Sequence, residues 1–369
     1  MSRLNFSFTS ESVAEGHPDK VCDYIADSVL DAHLAQDPRA RVACEVLCKS
    51  NHVVLAGEIT SLAKNIDYPA IVNEAVRTIG YTDPALSFHV GNLDIQVLLT
   101  EQAGEIAQRV IKTEANREQG AGDQGLMLGY ASDETPELMP LPVLLAHRIA
   151  LRLTEGRRNG APWLRPDAKT QVSVEYENGA PRRVTAVVVS TMHARAASQE
   201  QIRDYVLGEV LPDALGAWWN KGITVHVNPS GSFVDGGPSA DAGVTGRKII
   251  VDTYGGFSRH GGGAFSGKDP SKVDRSGAYF CRWVARQIVA QKLAHRAEVQ
   301  VAYAIGVAQP MSVFVETFGT GDQARAEAFV RGLDFRPEAI IEQFELLRPI
   351  YRQTTNYGHF GRPGLPWET

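Results

Sequence analysis

Apolar residues along the chain recur with two different periods, and each stretch of one period predicts one element. The first helical pattern covers about residues 19–36, where apolar residues recur three and four positions apart. Two extended runs, 41–48 and 52–59, flank a short polar turn and predict a hairpin. The same part of the chain also predicts a strand at 6–8, a helix over 68–79 and a strand over 93–99.

This order of elements returns twice further along the chain. Helices are predicted over 141–153, 199–210, 272–293 and 324–330, and strands over 171–176, 184–190, 223–227, 249–254, 299–305 and 312–317. The three predicted hairpins therefore begin near residues 41, 171 and 299. Three βαββαβ-like units explain the pattern most economically, although α/β alternation also arises without an internal repeat. The predicted fold class is α/β (α+β), with three similar domains.

Composition excludes several classes of protein. The chain has 369 residues, of which 43% are hydrophobic and 22% charged, so it can build cores and is not disordered throughout. That length predicts two or three domains. A net charge of −6 excludes a polycation that coats nucleic acid or anionic membranes, and no apolar run is long enough for a membrane span.

Cysteine usage and the first residues predict a cytoplasmic protein. The four cysteines are too few for a disulfide framework in so long a chain, and buried reduced thiols are expected. The start of the sequence lacks the apolar stretch of a secretory signal.

Glycine and basic residues are concentrated in one segment. Residues 228–277 hold 12 of the 34 glycines, which lets the backbone approach a ligand closely. The segment also contains Arg247, Lys248, Lys268 and Lys272. Basic side chains on glycine-rich backbone, in an acidic protein, indicate a polyphosphate ligand. By contrast, residues 103–119 are polar and weakly periodic, which suits a mobile loop or lid.

A P-loop is not the source of this phosphate binding. Residues 262–268 satisfy GxxxxGK, but Asp269 follows where a P-loop needs Ser or Thr to hold Mg²⁺. Acidic residues recur in five clusters, at 17–20, 120–125, 165–169, 241–248 and 268–274, and in all of them except the glycine-rich 120–125 a basic residue stands close by. Any single cluster is better explained as a solvated surface, whereas five on glycine, proline or helix-start backbone predict a metal-bridged triphosphate.

Three motifs carry a resemblance to a known family. They are Phe8-Thr9-Ser10-Glu11-Ser12-Val13-Ala14-Glu15-Gly16-His17-Pro18-Asp19-Lys20, Gly120-Ala121-Gly122-Asp123-Gln124-Gly125 and Gly261-Gly262-Gly263-Ala264-Phe265-Ser266-Gly267-Lys268-Asp269-Pro270. The chain resembles the S-adenosylmethionine synthetase (methionine adenosyltransferase) family from about Phe8 to Trp367. The resemblance implies three similar domains about a pseudo-threefold axis. It divides the chain into an N-terminal domain (4–102), an active-site loop (103–119), a central domain (120–235) and a C-terminal domain (236–367).

The implied reaction joins methionine sulfur to C5′ of ATP, releases triphosphate, and hydrolyses it to pyrophosphate and phosphate. A thioether has no proton to lose, so no general base is needed. The difficulty lies in the charge of the leaving group. Preorganised cations aimed at that charge should therefore dominate catalysis, followed by in-line positioning of the sulfur.

Motif matching assigns roles to individual residues. The implied catalytic residues are His17, Lys169, Arg247 and Lys268. The implied ATP contacts are His17, Asp167, Lys169, Ser232, Phe233, Asp241, Arg247, Lys248, Ala264 and Lys268, with Phe233 stacking on adenine and Arg247 orienting triphosphate hydrolysis. The implied contacts near methionine are Glu58, Gln102, Asp123, Asp241 and Lys272.

The resemblance also implies cofactors and partners. Asp19 and Asp274 would bind Mg²⁺, two ions per site, and Glu45 would bind K⁺. The partners are ATP, L-methionine and further copies of the chain, in a homodimer or a dimer-of-dimers homotetramer with active sites at the subunit interface. Neither nucleic acid nor a membrane is expected as a partner.

The sequence departs from the family pattern in two places and leaves two other functions open. Ser232 stands where the bacterial relatives carry Arg, and residues 103–119 match poorly. The first alternative function is an ATP-using ligase or kinase that cleaves at another phosphorus. The second is a non-catalytic nucleotide sensor.

Overall fold

The computed structural model describes residues 5–101 and 118–369. The strands in these ranges are β1 (Phe6–Val13), β2 (Arg41–Lys49), β3 (His52–Thr60), β4 (Asp94–Thr100), β5 (Gly125–Ser132), β6 (Leu164–Glu177), β7 (Ala180–His193), β8 (Thr224–Val227), β9 (Gly243–Val244), β10 (Arg296–Tyr303) and β11 (Ser312–Glu316). The α-helices are α1 (Pro18–Leu34), α2 (Tyr68–Ile79), α3 (Leu141–Asn159), α4 (Gln199–Tyr205), α5 (Leu211–Leu215), α6 (Ile249–Asp252), α7 (Val273–Ala290), α8 (Gln323–Arg331) and α9 (Pro337–Phe344).

The described strands form three sheets, with the orders β4-β3-β2-β9, β1-β6-β7-β8 and β11-β10-β5. Each sheet is built on one antiparallel hairpin, which confirms the predicted three-domain mixed α/β architecture. The strand before each long helix joins the sheet of another unit. Thus β1 pairs with β6, β5 with β10, and β9 with β2. This exchange ties the three units together.

One predicted strand is wrong, and four strands and α-helices of the described ranges were missed. Residues 249–254 are rich in β-branched side chains, yet they begin with the short helix α6 and a turn. Asp252 on that helix forms a buried ion pair with Lys20 at 2.6 Å, and Thr253 Oγ1 donates to Ile249 O. In the sheet of the third unit, β5 takes the edge position beside β10. The missed elements are β5, β9, α5 and α9.

The cysteine prediction is confirmed, and the helices carry no membrane signal. Cys22, Cys44, Cys48 and Cys281 are all buried free thiols. None of the helices in the described ranges combines the length and apolar character needed to cross a bilayer.

Each sheet buries one face against helices, and parts of the opposite faces are open. Along β2, alternate residues are buried, while Glu45 and Leu47 between them are exposed. Leu98 on β4 is 60% exposed, and Leu126 on β5 is 42% exposed. Apolar residues on open sheet faces are typical of surfaces that another chain covers.

Helix α1 supports two loops that carry predicted site residues, one at 243–248 and one at 264–268. Pro18 starts it at the first turn, His17 caps it, and its apolar side packs on β2. Its other buried side carries carboxylates: Asp23 and Asp27 are both fully buried. Such residues remain buried only when they are paired, and α1 pairs them with loops that are distant in sequence.

Candidate active site

The first group of site residues gathers at the N-terminus of α1. His17 Nδ1 accepts a hydrogen bond from Asp19 N at 3.2 Å, which assigns the proton of a neutral ring to Nε2. Burial, together with the positive charge of Lys248, lowers the pKa of His17 to about 3. The imidazole is therefore neutral at physiological pH. Its Nε2–H is a donor without a partner among the residues that the structure describes.

Asp19 joins the start of α1 to the glycine-rich segment. Its carboxylate accepts from Lys248 Nζ at 2.6 Å and from Val244 N at 3.0 Å. Burial alone would raise the pKa of Asp19, but these two hydrogen bonds together with the positive charge of Lys248 outweigh it, and the pKa is lowered. Arg247 is held more loosely, with Nε 3.7 Å from Asp19 and a side chain that is 57% exposed.

Strand β6 contributes the buried Asp167 and the exposed Lys169 to the group around His17. Asp167 Oδ2 accepts from Gly237 N at 2.8 Å, whereas its buried Oδ1 has no partner in the described part of the chain. Burial raises the pKa of Asp167 to about 6, against the charge of Lys169, and the nearby carboxylate of Asp241 adds to the rise. We call His17, Asp19, Asp167, Lys169, Asp241, Arg247 and Lys248 the His17 cluster.

A second group surrounds the start of α7. Lys268 Nζ donates to Asp274 Oδ2 at 2.5 Å. A Cβ on Gly263 would lie 2.4 Å from Asp274 Oδ1, so this glycine makes room for the carboxylate. Desolvation raises the pKa of Glu45, and the charge of Lys268 opposes that rise. Cation and carboxylates are therefore close enough to share an anionic ligand and a metal ion.

Of the predicted methionine-side residues, Glu58, Asp123 and Lys272 lie around this second group, whereas Asp241 belongs to the His17 cluster. Ala43 forms a β-bridge with Lys268 and pairs with Glu58 on β3. Lys272, the N-cap of α7, forms a short ion pair with Asp269, and Gly122 N donates to Ser271 O, which brings the loop with Asp123 alongside. Gln102 lies outside the described residues. We call Glu45, Glu58, Asp123, Lys268, Lys272 and Asp274 the Lys268 cluster.

Three further predicted residues lie beside the His17 cluster or between the two. Phe233 N donates to His193 Nε2 and Phe233 O accepts from His193 N, so this half-buried ring is fixed near Gly236. Its neighbour Ser232 is exposed. Ala264 packs against Gly246, where an added Cβ would lie only 2.5 Å from the Ala264 methyl. The loops of the two clusters therefore touch within one chain, but no described contact joins Lys268 to the basic residues of the His17 cluster.

The donor set fits Mg²⁺ bound through one carboxylate and a substrate phosphate. Among the residues described, no three His, Cys, Asp or Glu side chains are grouped to hold a metal by themselves. Asp19 and Asp274 instead each stand beside a lysine, with oxygen ligands to offer once phosphate is present. Mg²⁺ usually keeps several waters and takes one or two carboxylates plus phosphate oxygens. This arrangement suits polyphosphate chemistry and supplies no nucleophilic side chain.

Comparison with known proteins identifies the family. Three models match in succession: the S-adenosylmethionine synthetase N-terminal domain at residues 5–104, the central domain at 118–233 and the C-terminal domain at 235–369. The chain belongs to the S-adenosylmethionine synthetase family. It is an enzyme of that activity, which makes S-adenosylmethionine from methionine and ATP.

Individual relatives agree over nearly the full chain. The S-adenosylmethionine synthase of Sorangium cellulosum is 54% identical over 98% of this chain and 87% of its own length. The proteins of the same name from Akkermansia muciniphila and Nocardia farcinica are 53% and 54% identical, each over 98% of this chain, and 94% and 95% of their own lengths. The family therefore favours synthetase activity over the two alternatives, an ATP-using ligase or kinase and a non-catalytic nucleotide sensor.

Sequence reasoning missed the residues that hold the cation-bearing loops in place. Asp23 and Asp27 follow Asp19 at four-residue intervals along α1. That spacing puts all three carboxylates on one face of a helix. A search for acids with helical periodicity would have found them, whereas the search for acid–base neighbours did not.

Proposed function

We propose that the His17 and Lys268 clusters catalyse adenosyl transfer by stabilising the departing triphosphate. Lys169, Arg247 and Lys248 from one cluster, and Lys268 from the other, bind the phosphate oxygens. The neutral His17 donates its Nε2–H to the O5′ oxygen as the C5′–O5′ bond breaks. Methionine sulfur attacks C5′ from the opposite side. The observation that carries this proposal is the convergence of cations around the buried His17, whose imidazole is kept neutral by burial and by those charges together.

The remaining residues bind and orient the two substrates. Phe233 stacks on adenine beside Ser232, Asp167 and Asp241 bind the nucleoside end, and Ala264 contacts the nucleotide. Methionine lies against Glu58, Asp123 and Lys272, together with Gln102. The second reaction, hydrolysis of triphosphate, depends on Arg247.

Metal ions complete the charge balance of the proposed site. Asp19 and Asp274 hold two Mg²⁺ ions, and Glu45 holds K⁺. Bound Mg²⁺ would neutralise phosphate charge, because it is a hard cation with a preference for phosphate oxygens. Support comes from the carboxylate–lysine pairs and from the space that Gly263 leaves for Asp274.

The identity of the products tests the reaction directly. We expect incubation with ATP, methionine, Mg²⁺ and K⁺ to yield S-adenosylmethionine, pyrophosphate and phosphate in equal amounts, because the whole triphosphate leaves before it is cleaved. Mass spectrometry of all products checks this expectation, with methionine omitted as the control. ADP or AMP as the methionine-dependent product would contradict the proposed displacement at C5′.

We also propose that each active site forms between two copies of the chain, in a homodimer or a dimer of dimers. The open sheet faces with Leu47, Leu98 and Leu126 provide an apolar surface for such an interface. The His17 cluster of one copy would then face the Lys268 cluster of the other. The buried reduced thiols support a cytoplasmic location.

Mixing two inactive variants tests this shared site. Lys248→Ala and Lys268→Ala damage different clusters, so a mixed dimer would contain one site with both lysines intact. After the two variants are unfolded and refolded together, we expect activity to recover to about a quarter of wild type, the statistical yield for a two-fold dimer. Each variant refolded alone is the control. No recovery, with mixed dimers confirmed by native mass spectrometry, would show that each chain builds its own site.

A further inference from the structure

Helix α1 offers a carboxylate to distant backbone once per turn. Asp19 accepts from Val244 N, Asp23 from Gly246 N and Asp27 from Gly267 N. One turn further on, Asp31 accepts from the backbone N–H groups of two residues in the C-terminal segment, Tyr351 and Arg352. Successive residues of this row are about 6 Å apart along the helix axis. The row therefore spaces several loops on one rigid element.

The two middle aspartates act in the same way. The Gly246 N–Asp23 Oδ1 and Gly267 N–Asp27 Oδ1 distances are both 2.8 Å. Both glycines have a left-handed backbone conformation, with φ of 76° at Gly246 and 82° at Gly267. Each is followed at once by a cation of the proposed site: Arg247 after Gly246, and Lys268 after Gly267.

Neither glycine can be replaced without moving its loop. A Cβ on Gly267 would lie 2.0 Å from Cys44 O, and one on Gly246 would lie 2.5 Å from the Ala264 methyl. The positive φ values are also strained for any other residue. An oxygen of a buried carboxylate accepts from each of these N–H groups and so holds the glycine in the left-handed conformation.

We propose that Asp23 and Asp27 are positioning residues that fix the backbone from which the phosphate-binding cations extend. Arg and Lys side chains are long and flexible, so the place of the charge depends on where its Cα is held. A displacement of about 1 Å at a reacting centre can cost on the order of a hundredfold in rate. This inference rests on the proposed function, because it assumes that Arg247, Lys248 and Lys268 bind phosphate.

Asp23 is the better position to test. Asp27 also forms a bidentate ion pair with Arg275, in which both side chains are fully buried, so its replacement would unfold the protein. Asp23 is paired with Lys20 at 2.9 Å, but Lys20 keeps a second partner in Asp252 at 2.6 Å. The loss of Asp23 therefore leaves no buried cation unpaired.

The test compares Asp23→Ala with Asp23→Asn. Alanine removes the acceptor for Gly246 N, whereas asparagine keeps an oxygen there; both variants lose the negative charge and the ion pair with Lys20. We expect kcat for methionine-dependent phosphate release, which includes triphosphate hydrolysis, to fall at least tenfold in Asp23→Ala and to stay within threefold of wild type in Asp23→Asn. The KM for methionine should be unchanged in both, because the methionine side lies in the other cluster. Equal losses in the two variants would overturn the proposal.

Asp31→Ala is the matched control, since it removes the same kind of bond one turn beyond Asp27 and away from the cations. We expect it to lower the melting temperature and to leave kcat within twofold of wild type. If Asp23→Ala does not fold, Asp23→Gln takes its place: its longer side chain pushes the acceptor toward the loop and should give the same tenfold loss. Full activity in that variant would also overturn the proposal. Lys268→Ala, assayed in parallel, separates the two hypotheses, because its full activity would refute the proposed function itself.

Discussion

Lys268→Ala should lower kcat for methionine-dependent phosphate release by well over tenfold. In the wild-type protein Lys268 Nζ lies 2.5 Å from Asp274 Oδ2. Burial raises the pKa of Glu45, and the positive charge of Lys268 partly offsets that rise. Removal of the lysine takes one cation from the leaving triphosphate and leaves two carboxylates facing the same phosphates. Loss of one preorganised group that stabilises transition-state charge typically costs about 2.7–4 kcal/mol, or two to three decades in rate.

Initial rates of phosphate release at saturating ATP and methionine measure this effect. Lys221→Ala is the matched control, because it removes the same side chain from an exposed turn that belongs to neither cluster. Circular dichroism and a melting curve show whether Lys268→Ala remains folded. If Lys268→Ala is folded and its kcat is within twofold of the control, Lys268 does not take part in catalysis.

Much of the fold could be predicted because its elements are periodic in the sequence. The predicted bounds of α2 match the structure, and the β2–β3 hairpin differs by one residue at its ends. The sequence pattern predicts a strand at 249–254, because this segment is rich in β-branched residues. The structure has a short helix and a turn there, since Asp252 forms a buried ion pair with Lys20. The sequence pattern also could not show that β1, β5 and β9 leave their own units, since strand exchange depends on contacts far apart in sequence.

The candidate site also has a part that the sequence predicts and a part that only the fold shows. Its basic and acidic residues stand in long motifs, so their chemistry can be recognised without a structure. What holds them in place is less visible: the spacing of Asp23 and Asp27 places them on one helix face with Asp19, but the sequence does not show which loops they bind. The partition of cations into two clusters is also a property of three-dimensional packing. It is this partition that makes a site shared between two chains the favoured proposal.

Arg247→Leu should impair triphosphate hydrolysis much more than adenosyl transfer. Lys248 is fixed on Asp19 at 2.6 Å, whereas Arg247 lies 3.7 Å from the same carboxylate and remains largely exposed. A loosely held guanidinium can follow the triphosphate after it has left C5′, and its planar fork suits two phosphate oxygens at once. Charge near O5′ in the first step is met by the fixed groups instead. We therefore expect at least a tenfold loss in hydrolysis and no more than a threefold loss in transfer.

Single-turnover experiments separate the two reactions. S-adenosylmethionine and phosphate are quantified over the same time course, and the variant should accumulate tripolyphosphate that wild type does not. Arg247→Lys keeps the charge without the fork and should fall between wild type and Arg247→Leu. Arg195→Leu, at another exposed arginine, controls for the loss of a surface charge. Equal losses in the two reactions would refute the assignment of Arg247 to hydrolysis, because a residue that binds phosphate uniformly would slow both steps alike.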